Sequence, residues 1–78
     1  MNWQLLKNVN PPREVVLELY FEEDRCVRFA ERSEDGESIY IGSSYYDGQI
    51  DGNVYRTSYE KFKRFYGNKV YWSLFVKP

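Results

Sequence analysis

The chain has 78 residues, 42% of them apolar and 19% aromatic, with one cysteine and no histidine. That is one domain with enough core material to fold, and no internal disulfide framework. The net charge of −1 conceals an asymmetry: residues 1–52 carry 5 basic and 11 acidic side chains, whereas residues 53–78 carry 6 basic ones and only Glu60.

Residues 1–12 read as an N-terminal arm. Trp3, Leu5, Leu6 and Val9 are too apolar to hang free, and Asn10-Pro11-Pro12 ends the segment because proline lacks an N–H and forces its predecessor into extended geometry. Residues 14–21 alternate as a strand, with Val15, Leu17, Leu19 and Phe21 on one face and Val16, Glu18 and Tyr20 on the other. A polar turn, Glu22-Glu23-Asp24-Arg25, leads to a second strand over 26–31. Val27 and Phe29 are expected on the first face, with Cys26, Arg28 and Ala30 opposing them. Ser33-Glu34-Asp35-Gly36 is the next turn, and residues 38–46 are a third strand, with Ile39, Ile41 and Tyr45 against Tyr40 and Tyr46. Residues 13–46 thus form a three-stranded meander.

Asp47-Gly48-Gln49-Ile50-Asp51-Gly52 is a loop with two Asp-Gly turn signals. Its acidic spacing resembles the start of a calcium loop. Position 12, however, is Ser58 and not the bidentate glutamate such a loop needs, so a plain turn is expected. The period then changes. Thr57-Ser58-Tyr59-Glu60 has the form of a capping box, and Tyr59, Phe62, Phe65 and Tyr66 follow as an apolar stripe about 120° wide. A helix over 57–67 is predicted, with Gly67 as its C′ residue and Lys61, Lys63 and Arg64 off the stripe. Residues 69–76 are the last strand. Val70, Trp72, Leu74 and Val76 oppose Tyr71 and Phe75, and apolar residues on both faces place it centrally.

The predicted fold is α+β, in the order β-β-β-α-β: an antiparallel sheet of about four strands with one short helix on one face. The opposite face would carry Val16, Tyr20, Tyr40, Tyr46, Tyr71 and Phe75, too aromatic to be left to solvent. The arm can lid it with Trp3, Leu5 and Leu6, it can bind a partner or a second copy, or it can stack unpaired bases.

Without histidine, the Ser-His-Asp and Cys-His arrangements and the usual zinc sites are excluded, and no enzyme is expected. Cys26 reads as a half-buried strand cysteine, and no cofactor is called for. There is no apolar run of transmembrane length and no basic start before an apolar stretch, so a cytoplasmic protein without membrane attachment is expected. Basic residues interleave with aromatics over 55–71, the pattern of single-stranded nucleic-acid binders, but the sequence pI of about 5.4 argues against that use.

Asn2-Trp3-Gln4-Leu5, then Pro11-Pro12-x-Glu14-Val15-Val16-Leu17, and Val70-Tyr71-Trp72-Ser73-Leu74 before Pro78 resemble a family of small phage and prophage proteins of unknown function. Tyr71 stands where that family has His, Phe75-Val76 where it has prolines, and the middle of the chain does not match. The resemblance implies a phage or mobile-element origin and no catalytic residues. The expected function is occlusion of a surface on a host or defence protein, in the manner of an anti-CRISPR or host-takeover inhibitor, by a monomer or homodimer. Tyr45, Tyr46, Tyr55, Arg56, Lys61, Lys63 and Arg64 are its candidate contact residues. The alternatives are a single-stranded nucleic-acid binder using the basic helix, and a homodimeric module built on the aromatic sheet face.

Overall fold

A computed structural model describes residues 2–75. In chain order its elements are β1 (Gln4–Leu5), β2 (Val16–Phe21), β3 (Cys26–Arg32), β4 (Ser38–Gly42), β5 (Ser44–Tyr46), β6 (Gln49–Asp51), β7 (Tyr55–Ser58), α1 (Tyr59–Tyr66) and β8 (Val70–Leu74). The class is α+β, with an antiparallel sheet and one helix, but the sheet is larger than four strands. Six strands pair in the order β1-β8-β2-β3-β4-β7, and β5-β6 forms a separate hairpin. Val76, the last apolar position assigned to the final strand, lies outside the described residues.

One additional strand, β5, comes from breaking an expected strand, and its partner β6 from the segment expected as loop. Residues 38–46 do not run straight, because the chain leaves the sheet after Gly42 and folds back over it. A Cβ at Gly42 would collide with Ile50 Cγ2 and the Asp51 carbonyl oxygen, so only glycine admits the hairpin that close. Asp47 and Gly48, both with positive φ, form the two-residue turn of that hairpin, and Gln49–Asp51, expected as loop, is its second strand. β7 pairs with β4 and forms one edge of the sheet, while β1, drawn from the arm, forms the other.

The β2–β3 register corrects the expected faces. The four-residue turn sets Phe21 opposite Cys26, Leu19 opposite Arg28 and Leu17 opposite Ala30. Cys26, Arg28 and Ala30 therefore share the helix-covered face, and Val27 and Phe29 lie on the other, since a one-residue shift reverses every side chain. The core between sheet and helix holds Leu6, Leu17, Leu19, Phe21, Ala30, Ile39, Ile41, Tyr59, Phe62, Val70 and Trp72.

Helix α1 begins later than expected. Its N-cap is Ser58, not Thr57, and the Ser58 hydroxyl accepts from the Lys61 N–H at 3.3 Å. Glu60 turns to Arg64 instead of closing a capping box. Gly67 is right-handed (φ −53°), so it is not a left-handed cap. Its missing Cβ instead lets the Lys63 carbonyl and the arm at Lys7 approach, and its carbonyl accepts from the Lys7 N–H.

Eight residues cannot hold a helix in water, so packing holds this one. The arm supplies part of that packing, running beside α1 across the same face of the sheet. Leu6 and Pro11 are fully buried. Trp72 Nε1 donates to the Val9 carbonyl at 2.8 Å, and Arg32 donates to the Pro11 carbonyl at 2.7 Å. Asn10 Oδ1 accepts from both the Tyr59 hydroxyl and Lys63 Nζ, each at 2.7 Å. Arg32 is itself buried, stacked 3.8 Å from the centre of the Tyr59 ring, with the Gly36 carbonyl as a second acceptor.

Candidate functional site

The second sheet face is covered largely by the chain itself. Trp3 lies 6.2 Å from Tyr20 at one end. Tyr45, brought over by the hairpin, lies 4.6 Å from Phe75 and 6.1 Å from Phe29, and Phe29 and Phe75 meet edge to face at 5.3 Å. The expected arm lid is thus half present: Trp3 and Leu5 reach this face, but Leu6 belongs to the core on the other. Its large exposed apolar side chains are Val27 and Tyr40.

The structure does not gather the seven candidate contact residues into one site. Tyr45 is half-buried in the aromatic cluster just described. Tyr46 is 73% exposed at the hairpin tip. Arg56 pairs across from Tyr40, which places it on the second face. Lys63 leans toward the arm and is held by Asn10, and Arg64 is paired with Glu60 at 2.7 Å. Lys61 and Arg56 are exposed, and neither forms an ion pair with a described residue.

A different grouping emerges where β7 meets the flank of α1. Tyr55 is 50% exposed and Phe65 66% exposed. Phe65 packs 4.8 Å from Tyr66, which in turn meets Phe21 edge to face at 5.5 Å. Burial raises the Tyr55 hydroxyl above its ordinary pKa, the neighbouring Tyr66 phenol raises it further, and the nearby Arg28 guanidinium opposes both. Lys61 precedes Phe65 by one helical turn and shares its side of the helix. Lys69 sits 5.2 Å from the Phe65 ring centre and pairs with Glu23 at 2.7 Å, and that bond raises the Lys69 pKa. Tyr55 on β7 and Phe65 on α1 thus both neighbour Tyr66, an aromatic patch with Arg28 near Tyr55 and Lys69 near Phe65.

Phe65 and Arg28 were not among the candidates drawn from the sequence. Sequence spacing places Phe65 in the buried stripe. On a helical wheel it lies about 60° beyond Phe62, farther from Tyr59 and Tyr66, and a short helix resting on a flat sheet buries only the middle of so wide a stripe. Arg28 was hidden by the β2–β3 register. Its placement opposite Leu19 turns it toward the helix side, where it lies 5.9 Å from the Phe21 ring centre.

Among the described residues, no group of three or more acidic, histidine or cysteine side chains is placed to hold a metal ion, and no helix is long and apolar enough to cross a membrane. Comparison of the chain with protein-family models, with curated proteins and with solved structures found no match.

Proposed function

We propose that this is a small non-enzymatic binding protein that occludes a surface of another protein. The observation that carries this reading is Tyr55 and Phe65, two large aromatics left open to solvent, with Lys61 one helical turn before Phe65 and in no ion pair with a described residue. Aromatic side chains lose little entropy on docking and dominate the energetics of protein interfaces, and rim cations raise the association rate. The resemblance of the chain ends supplies the setting, a phage or mobile element acting on a host or defence protein in the cytoplasm.

One observation favours a second reading. Tyr55 and Phe65 are half or more exposed and not consumed by the core, so they offer aromatic surface to unpaired bases, with Arg28, Lys61 and Lys69 near the phosphates. A pull-down from bacterial lysate, run with and without nuclease and read by mass spectrometry, separates the two. The proposal expects one stoichiometric protein that survives nuclease and is lost with the Tyr55→Ala/Phe65→Ala double variant. A set of nucleoprotein components that vanishes with nuclease, together with oligonucleotide binding that falls steeply with salt, would replace it with the second reading.

A further inference from the structure

The sheet ends at β7, and among the described residues nothing pairs with its outer side. The direction of each backbone group follows from the register. The Tyr59 N–H donates to the Glu37 carbonyl at 2.8 Å, continuing the β4–β7 ladder. Antiparallel pairing alternates, so Thr57 and Tyr55 turn their backbone groups toward β4, and Arg56 turns its N–H and carbonyl outward. Edges of this kind template a further strand unless they are blocked. No proline or bulge blocks β7, and a groove of 590 Å³ opens where its Ser58 end meets the start of β4 and α1, lined by Glu37, Ser38, Arg56, Thr57, Ser58 and Glu60 among others.

The geometry points to this edge as the docking site for an extended segment of a partner protein, which joins the sheet as a seventh strand with an acidic side chain opposite Arg56. The inference rests on the partner-binding reading above and says how the partner is held. Main-chain hydrogen bonds to Arg56 would give affinity, and alternate side chains would give specificity. On the second face, Arg56 has no ionic partner among the described residues, so a carboxylate opposite it gains a cross-strand pair. On the helix face, the residue opposite Tyr55 meets the exposed aromatic patch and is apolar. Toward Ser58 the groove carries Glu37 and Glu60, which repel a second acid. The motif is therefore a single acid, flanked by apolar or β-branched residues, with a neutral or basic residue at the Ser58 end. A second copy of this chain fits less well. Symmetric pairing centred on Arg56 sets Arg56 opposite Arg56 of the other copy, where like charges are destabilising, and pairing centred on Tyr55 or Thr57 sets it opposite Val54 or Ser58, so none of these registers gives Arg56 an acid.

A displayed library of random ten-residue peptides, selected against the full chain, tests this. The expected consensus has one acid between alternating apolar or β-branched residues. A synthetic peptide of that consensus should slow exchange of the Arg56 amide by about tenfold or more. Arg56→Glu should invert the preference from acidic to basic peptides without lowering the melting temperature. Arg56→Pro should remove binding while the β4 ladder survives, because the lost N–H points outward. No enrichment, a consensus without an acid, or protection confined to other amides would overturn the inference. So would Arg56 exchange that slows with protein concentration alone, which assigns the edge to a second copy. If a lysate partner needs Tyr55 and Phe65 yet is indifferent to both Arg56 variants, the edge inference fails and the partner-binding reading stands. If peptides dock at Arg56 and no protein partner is captured, the edge stands and the occlusion reading fails.

Discussion

The two edges of the sheet are finished differently. At β1 the strand is two residues long, and its chain turns back at once over the helix face. There the outward Leu5 carbonyl accepts from the Asn8 and Val9 N–H groups of the arm, the Leu6 and Lys7 N–H groups are bonded to the Val70 and Gly67 carbonyls, and Val9, Asn10 and Pro11 each accept from a side chain of the body. At β7 the strand is four residues long, its outer backbone groups meet no described residue, and Tyr55, Arg56 and the adjoining Phe65 are exposed. Both edges face the same problem, unpaired main-chain groups beside apolar surface. One is closed by the protein's own arm, and the other is left open. The closed edge therefore carries stability, and the open one carries surface that stability does not need.

The largest effect tests the closed edge. Leu6→Ala removes a fully buried side chain that pins the arm and should cost about 2–5 kcal/mol in urea unfolding. A change under 1 kcal/mol, on the order of an ordinary surface substitution, would mean the arm is dispensable.

Tyr59→Phe tests the arm's polar fastening. It removes one of the two donors to Asn10 and should cost about 1 kcal/mol. It also carries a pH signature. Burial raises the Tyr59 hydroxyl above its ordinary pKa and outweighs the opposing Arg32 charge. The folded state thus holds this proton more tightly than the unfolded chain does. The contribution is fully present below a pH of about 10 and is lost as pH rises through the folded value. Stability of the Phe variant should fall less steeply above that pH. Parallel alkaline limbs for the two proteins would contradict the assignment.

At the open edge the expectation reverses. The Tyr55→Ala/Phe65→Ala double variant should change unfolding free energy by only about 1 kcal/mol and still abolish partner capture. A collapse in stability would make the patch part of the core. The smallest effect is expected at Arg64→Ala, whose pair with Glu60 is exposed on both sides and is worth a few tenths of a kcal/mol, about the resolution of a denaturant titration.

The strands carrying strict alternation were legible from sequence: the β2 core positions Leu17, Leu19 and Phe21, the β4 pair Ile39 and Ile41, and the two-faced β8. What alternation cannot supply is register between strands. The four-residue Glu22–Arg25 turn sets Phe21 opposite Cys26 and so turns Ala30, not Phe29, toward the helix, whereas the apolar character of Val27 and Phe29 points the other way. The break at Gly42 was equally hidden, because a glycine reads as a weak point in a strand until the hairpin that needs its missing Cβ is seen. Strand β7 was missed because Tyr55-Arg56-Thr57-Ser58 is short and runs directly into a helix signal. Of the candidate contacts, Tyr55 and Lys61 adjoin the aromatic patch and Arg56 lies on the edge itself, while Tyr45 and Lys63 are engaged by the fold. Nothing in the local sequence distinguishes an exposed tyrosine from one clamped against Phe29 and Phe75.

Amide hydrogen exchange on the free protein tests the contrast between the edges most directly. The Leu6 and Lys7 amides should be protected along with Thr57, whereas the Arg56 amide, one residue away from Thr57, should exchange freely. An Arg56 amide protected to the level of Thr57, or Leu6 and Lys7 amides exchanging as fast as an unfolded segment, would contradict the account.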